Sequence, residues 1–193
     1  MTYLPGPGIS ERISTAKSVR EVMEFLGRSQ RISGLALETG CAFNTDPKDR
    51  DNLSTPNIAR HFCGPKGHLF SFDTDPARIE VAKQLLGGGL EGRVSFFVGD
   101  SMQTLPVFAS IFPRITTKRL DILYLDSFED PGWSHKEFRL VSHILRPGGI
   151  ICADDAENPG SRKTEGFLPF LKERCEWWHV VPTPTTLFVG ALR

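Results

Sequence analysis

Short apolar runs alternate with amphipathic stretches along most of this chain, and that alternation limits the folds open to it. Gly34-Leu35-Ala36-Leu37-Glu38, Leu69-Phe70-Ser71-Phe72, Val94 to Val98, Asp121-Ile122-Leu123-Tyr124-Leu125 and Ile150-Ile151-Cys152-Ala153 each have the length and composition of a buried strand. Between them lie helical patterns. Ser54-Thr55-Pro56 starts one, Pro76 to Leu86 is a second closed by Gly87-Gly88-Gly89, and Met102 to Phe112 is a third. His135 to Leu145 follows, closed by Arg146-Pro147-Gly148-Gly149, and Thr164 to Arg174 is the last. Upstream, Ile13, Val19, Val22, Met23 and Leu26 predict one helix from Ser10 to Arg28, with Gly27 as its stop and the first eight residues as an irregular arm. Trp177 to Val181 and Thr186 to Ala191 are separated only by a Pro/Thr turn, so these two strands must pair antiparallel.

The order βαβαβαβαβαββ predicts an α/β fold. It is a doubly wound, mostly parallel, seven-stranded Rossmann-like sheet with a C-terminal antiparallel hairpin. At 193 residues the chain is expected to be one domain, with residues 1–29 as arm and helix and 30–193 as the core. Lys plus Arg and Asp plus Glu both number 23, which argues against a dedicated nucleic-acid binder. No apolar run is long enough for a membrane helix, and the N-terminus lacks a signal-peptide pattern. Cys41, Cys63, Cys152 and Cys175 are scattered without metal-site spacing and read as reduced, buried or half-buried thiols. A cytoplasmic protein is expected.

In such sheets the ligand crevice lies beyond the carboxyl ends of the strands. The first strand ends in Glu38-Thr39-Gly40-Cys41, a turn with one glycine where a dinucleotide fold needs three. A nine-residue polar loop, Asn44 to Asn52, follows it. Pyrophosphate is therefore poorly served, and a nucleoside without phosphates fits better. The second strand ends in Asp73-Thr74-Asp75-Pro76. Asp73 is placed to accept hydrogen bonds from ribose hydroxyls, while Asp75 is placed to cap the next helix. At the third strand end, Asp100 or Ser101 can accept from an adenine amino group and Met102 can lie against the ring; helix capping is the plainer role. Asp126 and Ser127 end the fourth strand, and Asp154 and Asp155 the fifth. Three carboxylates at one edge repel unless a positive charge is present. A divalent cation such as Mg²⁺ resolves this; pairing of Asp154 or Asp155 with Arg162 or Lys163 is the alternative.

These pieces in this order resemble an S-adenosylmethionine-dependent methyltransferase. More narrowly, they are similar to the cation-dependent O-methyltransferases of the catechol type and their bacterial sugar and antibiotic relatives. Leu37-Glu38-Thr39-Gly40, Phe72-Asp73-Thr74-Asp75-Pro76, Val98-Gly99-Asp100-Ser101, Leu123-Tyr124-Leu125-Asp126-Ser127 and Leu145-Arg146-Pro147-Gly148-Gly149 running into Ala153-Asp154-Asp155 carry the likeness over residues 30–193. The resemblance implies that Glu38, Gly40, Ser54, Asp73, Thr74, Asp100, Ser101, Met102 and Asp126 bind S-adenosylmethionine, with Asp126, Asp154 and Asp155 holding the metal. The catechol enzymes place a His and then a base Lys soon after the first metal Asp; here the run is Asp126-Ser127-Phe128-Glu129-Asp130. Glu129 and His135 are then the candidates for the base.

The implied reaction is methyl transfer to a hydroxyl of a small molecule, with a vicinal pair of oxygens as the best chelator of the ion. A metal-independent methyltransferase acting on nitrogen or a macromolecule is the nearest alternative, followed by a non-catalytic cofactor-binding module. A nucleotide-dependent oxidoreductase is disfavoured by the single glycine in the first turn. Trp133, Trp177 and Trp178 are candidates to line an aromatic acceptor site, against a plainer role in packing. Trp177 and Trp178 should face opposite sides of their strand. Many enzymes of this kind pair, so a homodimer is compatible with the resemblance.

Overall fold

A computed structural model describes residues 7–29 and 34–193. Seven strands form one sheet: β1 (Leu35–Thr39), β2 (His68–Asp73), β3 (Val94–Val98), β4 (Leu120–Leu125), β5 (Leu145–Ala153), β6 (Cys175–Val181) and β7 (Leu187–Leu192), in the spatial order β3-β2-β1-β4-β5-β7-β6. The first five are mutually parallel, and β7 runs antiparallel to both of its neighbours. The doubly wound expectation and the terminal hairpin are both present. Among the described residues no helix is long and apolar enough to cross a membrane.

The central strands β1 and β4 are buried on both faces, and the strand period of two splits the sheet's side chains into two cores. Ala36, Ile122, Tyr124, Ile150 and Cys152 face one side, where α1 (Pro7–Thr15), α2 (Val19–Ser29) and the helical run starting with α3 (Ser54–Asn57) cover them. Leu35, Leu37, Leu123, Leu125, Ile151 and Ala153 face the other, beneath α5 (Ser101–Ile115), α6 (Trp133–Val141) and α7 (Phe167–Arg174). The remaining helix, α4 (Pro76–Leu86), packs Ile79 and Ala82 with Cys41. All four cysteines are free and buried.

Three local expectations need correction. The single helix over 10–28 is two, because the chain breaks at Ala16-Lys17-Ser18 and Ser18 Oγ accepts the Glu21 N–H to start α2. Pro7 and Gly8, expected in the arm, belong to α1; the rest of the expected arm, residues 1–6, lies outside the described residues. Arg146-Pro147-Gly148-Gly149 does not separate helix from strand but lies inside β5 as an irregularity. Leu120 pairs with Leu145 and Ile122 with Ile150, so the residues between form a bulge in the ladder. The bulge places Arg146 Nε 2.6 Å from the buried Asp121 carboxylate.

Candidate functional site

The sheet register builds the site. Thr39 lies level with Phe72 on one side and Leu125 on the other, and Leu125 with Ala153. The ladder then runs one residue past the strands: Gly40 N–H donates to Phe72 O (2.8 Å), Asp126 N–H to Thr39 O (2.9 Å) and Asp154 N–H to Leu125 O (3.0 Å). Gly40, Asp126 and Asp154 therefore stand in one row. Gly40 has φ +78°, and a Cβ there would lie 1.9 Å from Asp126 O, so only glycine lets β1 and β4 approach.

On one side of this row is a cavity of about 300 Å³. Gly40, Asp73, Thr74, Asp100, Ser101 and Ser127 supply its polar wall; Phe72, Phe128 and Trp133 supply its apolar wall. The Asp73 carboxylate accepts Cys41 N–H on Oδ2 (3.0 Å) and Asp75 N–H on Oδ1 (2.8 Å). Oδ2 also takes a long contact from the Cys41 thiol (3.4 Å), while Oδ1 keeps a lone pair for a ligand. Asp75 caps α4 through Ala77 N–H and Asp100 caps α5 through Met102 N–H, both at 2.8 Å. Asp100 thus both caps the helix and lines the cavity. Met102 is not among the lining residues. Trp133 does line it, donating from Nε1 to Ser101 Oγ (3.3 Å). Trp177 packs against one core and Trp178 is partly exposed.

Glu38 is not in either cavity wall. It is fully buried beneath the β1 turn, where Thr55 and Ser71 donate to Oε2 at 2.8 and 2.7 Å. Its other oxygen, Oε1, is buried without a hydrogen-bond partner. Burial pushes Glu38 up to about 7, against the pull of the Ser54, Ser71 and Thr55 hydroxyls. An unfolded chain therefore loses this proton near pH 4.5 while the folded chain keeps it until about 7. Stability falls as pH rises through that window, by about 3 kcal/mol for this group. Denaturant titrations at pH 5 and pH 8 should show that loss in the wild type and its absence in Glu38→Gln.

On the other side of the row a second cavity of about 250 Å³ is lined by Cys41 to Asn44, Ser54, Asp126, Asp154 and Thr185. Asp126 and Ser127 are consecutive, yet Asp126 faces this cavity and Ser127 the first. Asp126, Asp154 and Asp155 offer oxygens within 4.8 Å of one another, so the expected convergence occurs. Lys163 lies among them. Its Nζ is 2.5 Å from Asp126 Oδ1 and 2.8 Å from Asp155 Oδ2. Asp154 Oδ1 accepts the Thr185 hydroxyl at 2.7 Å. Burial and the neighbouring Asp154 charge hold Asp126 well above its ordinary range, and burial raises Asp154. Burial alone would lower Lys163, but Asp126 and Asp155 outweigh it and keep the ammonium charged. The residues present do not fit a divalent ion bridging Asp126 Oδ1 and Asp155 Oδ2, because the ammonium already bridges them.

Residues 50–156 match the family described as Methyltransferase domain, more than half of the chain. The chain belongs to that family. No curated protein matches it in sequence. Several solved structures share its fold. A methyltransferase from Geobacter sulfurreducens is 18% identical, with a TM-score of 0.64 over 90% of this chain and 77% of that one. The O-methyltransferase from Bacillus cereus, solved with S-adenosylhomocysteine, is 13% identical, with a TM-score of 0.63 over 100% and 83%. The O-methyltransferase TomG from Streptomyces achromogenes, involved in tomaymycin synthesis and solved with S-adenosylmethionine, is 16% identical, with a TM-score of 0.63 over 99% and 82%. These likenesses agree with the family resemblance read from the sequence.

In this methyltransferase neither expected base reaches a cavity. His135 points to the far side of α6, stacked 5.2 Å from Phe167 and tilted against Phe170 at 4.5 Å. The first turn of α6 starts at Trp133, whose ring takes the cavity side and leaves His135, two residues on, pointing away. Glu129 is exposed, accepts the Ser161 hydroxyl, and lies 3.6 Å from Lys163 Nζ. It is an outer member of the acidic group and lines neither cavity. Two residues of the site were not singled out in the sequence. Glu137 is buried behind the first cavity, taking hydroxyls from Thr39 (2.9 Å) and Ser127 (2.5 Å). Arg78 lies with its guanidinium 4.2 Å over Phe43 at the cavity mouth. Glu137 falls one helical turn after Trp133, a spacing that could have pointed to it.

Proposed function

We propose that this methyltransferase moves the methyl group of S-adenosylmethionine to a hydroxyl oxygen of a small molecule. The observation that carries the reading is the shared wall: Gly40-Cys41 and Asp126-Ser127 each face one cavity with one residue and the second cavity with the next. A donor in the first cavity and an acceptor in the second would meet at that wall. Bound there, S-adenosylmethionine supplies an already activated methyl on its sulfonium.

The chain's own task is then positioning and proton removal. Asp73 would take the two ribose hydroxyls, one on the open Oδ1 and one on Oδ2 in place of the long Cys41 thiol contact. Asp100 and Ser101 would face the adenine, between Phe72 and Trp133. Gly40 lets the methionine end lie against the β1–β4 junction. Asp154 and Asp126 face the second cavity, where a hydroxyl acceptor would donate to one of them. When the O–CH₃ bond forms and the methyl–sulfur bond breaks to leave S-adenosylhomocysteine, the hydroxyl proton would pass to Asp154, whose burial makes it a stronger base than an ordinary carboxylate. Cation assistance is a second reading. One observation favours it: three carboxyl groups converge around a single ammonium. It requires Lys163 to leave its place.

S-adenosylhomocysteine should raise the melting temperature, while NAD should not. Binding to the native state alone adds about 2.7 kcal/mol at a hundredfold excess over Kd. No shift at millimolar S-adenosylhomocysteine would sink the cofactor assignment. Formation of S-adenosylhomocysteine with a panel of catechols, sugar diols and hydroxy acids, but not with amines, is the result expected for the acceptor class.

A further inference from the structure

Lys163 is 1% exposed. A lysine is almost never buried that far without partners, because desolvating an ammonium costs several kcal/mol. Here the surroundings are built to receive it. Asp155 takes φ +54°, an uncommon conformation for a residue with a side chain. The turn it makes lets Asn158 Nδ2 hold its Oδ1 (2.8 Å), leaving Oδ2 for Lys163. The backbone of the Lys163 segment is pinned to the start of α6: Gly132 N–H donates to Arg162 O (3.2 Å) and Ser134 N–H to Lys163 O (3.1 Å). On the other flank Thr164 Oγ1 donates to Ala156 O at 3.4 Å.

We propose that the Lys163 ammonium is the resident cation of this site, a positioning residue that orients Asp126 and Asp155 from behind in place of a divalent ion. The inference rests on the proposed function for what the oriented carboxylates act upon. Lys163 lines neither cavity, so it works through Asp126, which does. Its two bonds fix the Asp126 and Asp155 carboxylates at the position a metal would otherwise hold them. Asp154, anchored by Thr185 instead, stays on the cavity wall. A small divalent ion sits about 2.1 Å from its oxygens. Shared with an ammonium at 2.5 and 2.8 Å on the same two oxygens, it would bring two cationic centres within about 5 Å of each other in a site largely shielded from water.

The test is a Mn²⁺ titration followed by electron paramagnetic resonance, with and without S-adenosylhomocysteine, on wild type, Lys163→Ala and Lys163→Arg. Wild type should show no saturable Mn²⁺ site up to 1 mM, about the weak end of divalent sites in proteins, and its methyl transfer should be unchanged by EDTA. Lys163→Ala should gain one site per chain, at least about fiftyfold tighter than wild type, a shift of over 2 kcal/mol. Adding Asp155→Asn should abolish that site. Lys163→Arg, which keeps the charge, should gain none. A purely structural lysine would not exchange itself for an ion in this way. Saturable micromolar Mn²⁺ binding by wild type, or activity lost to EDTA and restored by Mg²⁺, overturns the proposal; so does a folded Lys163→Ala that binds no Mn²⁺. If Lys163→Ala does not fold, Lys163→Met takes its place, and the wild-type titration decides by itself. Failure of wild type to bind S-adenosylhomocysteine strikes the proposed function, while the Mn²⁺ arms still report on Lys163.

Discussion

Gly40→Ala is expected to lower the melting temperature by about 10 °C or more, from a loss of roughly 4 kcal/mol in a domain of this size. Two separate effects add. The residue sits at φ +78°, where an L side chain strains the backbone by about 1–2 kcal/mol. In addition, the new Cβ would lie 1.9 Å from Asp126 O and 3.0 Å from Ser127 Cα. Those atoms cannot retreat independently, because Asp126 N–H is tied to Thr39 O in the β1–β4 ladder. The methyl must part the two central strands or fail to fit. Gly64→Ala separates the two contributions: it shares a positive φ of +57° but would meet nothing within 4 Å. It should lose only about 1 kcal/mol, the cost of the conformation alone. Thermal unfolding of both variants checks this. Similar losses at the two positions would mean that β1 and β4 are not packed as tightly at their ends as their register implies.

The same ladder explains which parts of the site could be read from the sequence. A buried parallel strand declares itself as a short apolar run, and its first polar residue past the end falls at the crevice. Gly40, Asp73, Asp100, Asp126 and Asp154 were legible for that reason alone. Glu38 precedes Thr39 inside β1, so it points into the buried interior rather than out of the strand end, a difference of one residue that the apolar run does not reveal. Its polar neighbours Thr55 and Ser71 come from other elements and could not be foreseen. The placement of His135 is not legible in the same way, because distance from Asp126 along the chain says nothing about the side of a helix. Lys163 was visible only as one of two nearby cations. Its destination depends on a turn at Asp155 with positive φ and on backbone bonds to α6, none of which leaves a periodic trace. The Arg146-Pro147-Gly148-Gly149 run reads as a terminator because its residue types are those of turns; the strand absorbs it as a bulge anchored by Arg146 on Asp121.

Asp73→Ala should weaken S-adenosylhomocysteine binding at least about 100-fold in calorimetric titration, since each hydrogen bond to a charged group contributes about 1.5–3 kcal/mol and two are lost. The fold should survive, because the Cys41 and Asp75 N–H groups left behind adjoin a cavity that water can fill. Asp73→Asn is not a mild replacement here. Cys41 N–H is bonded to Oδ2 and Asp75 N–H to Oδ1, so an amide turned either way sets its NH₂ against one backbone donor. Asparagine should therefore bind nearly as poorly as alanine, whereas Asp73→Glu should retain charge but push it into the cavity and displace the ribose. Asp100→Ala makes the useful contrast. That residue spends one oxygen on capping α5, so its loss should cost about 1 kcal/mol of stability, with only a modest change in affinity. If Asp73→Ala bound S-adenosylhomocysteine as wild type does, the nucleoside would not lie at the end of β2. The shared wall at Gly40 and Asp126 could then no longer be where donor and acceptor meet.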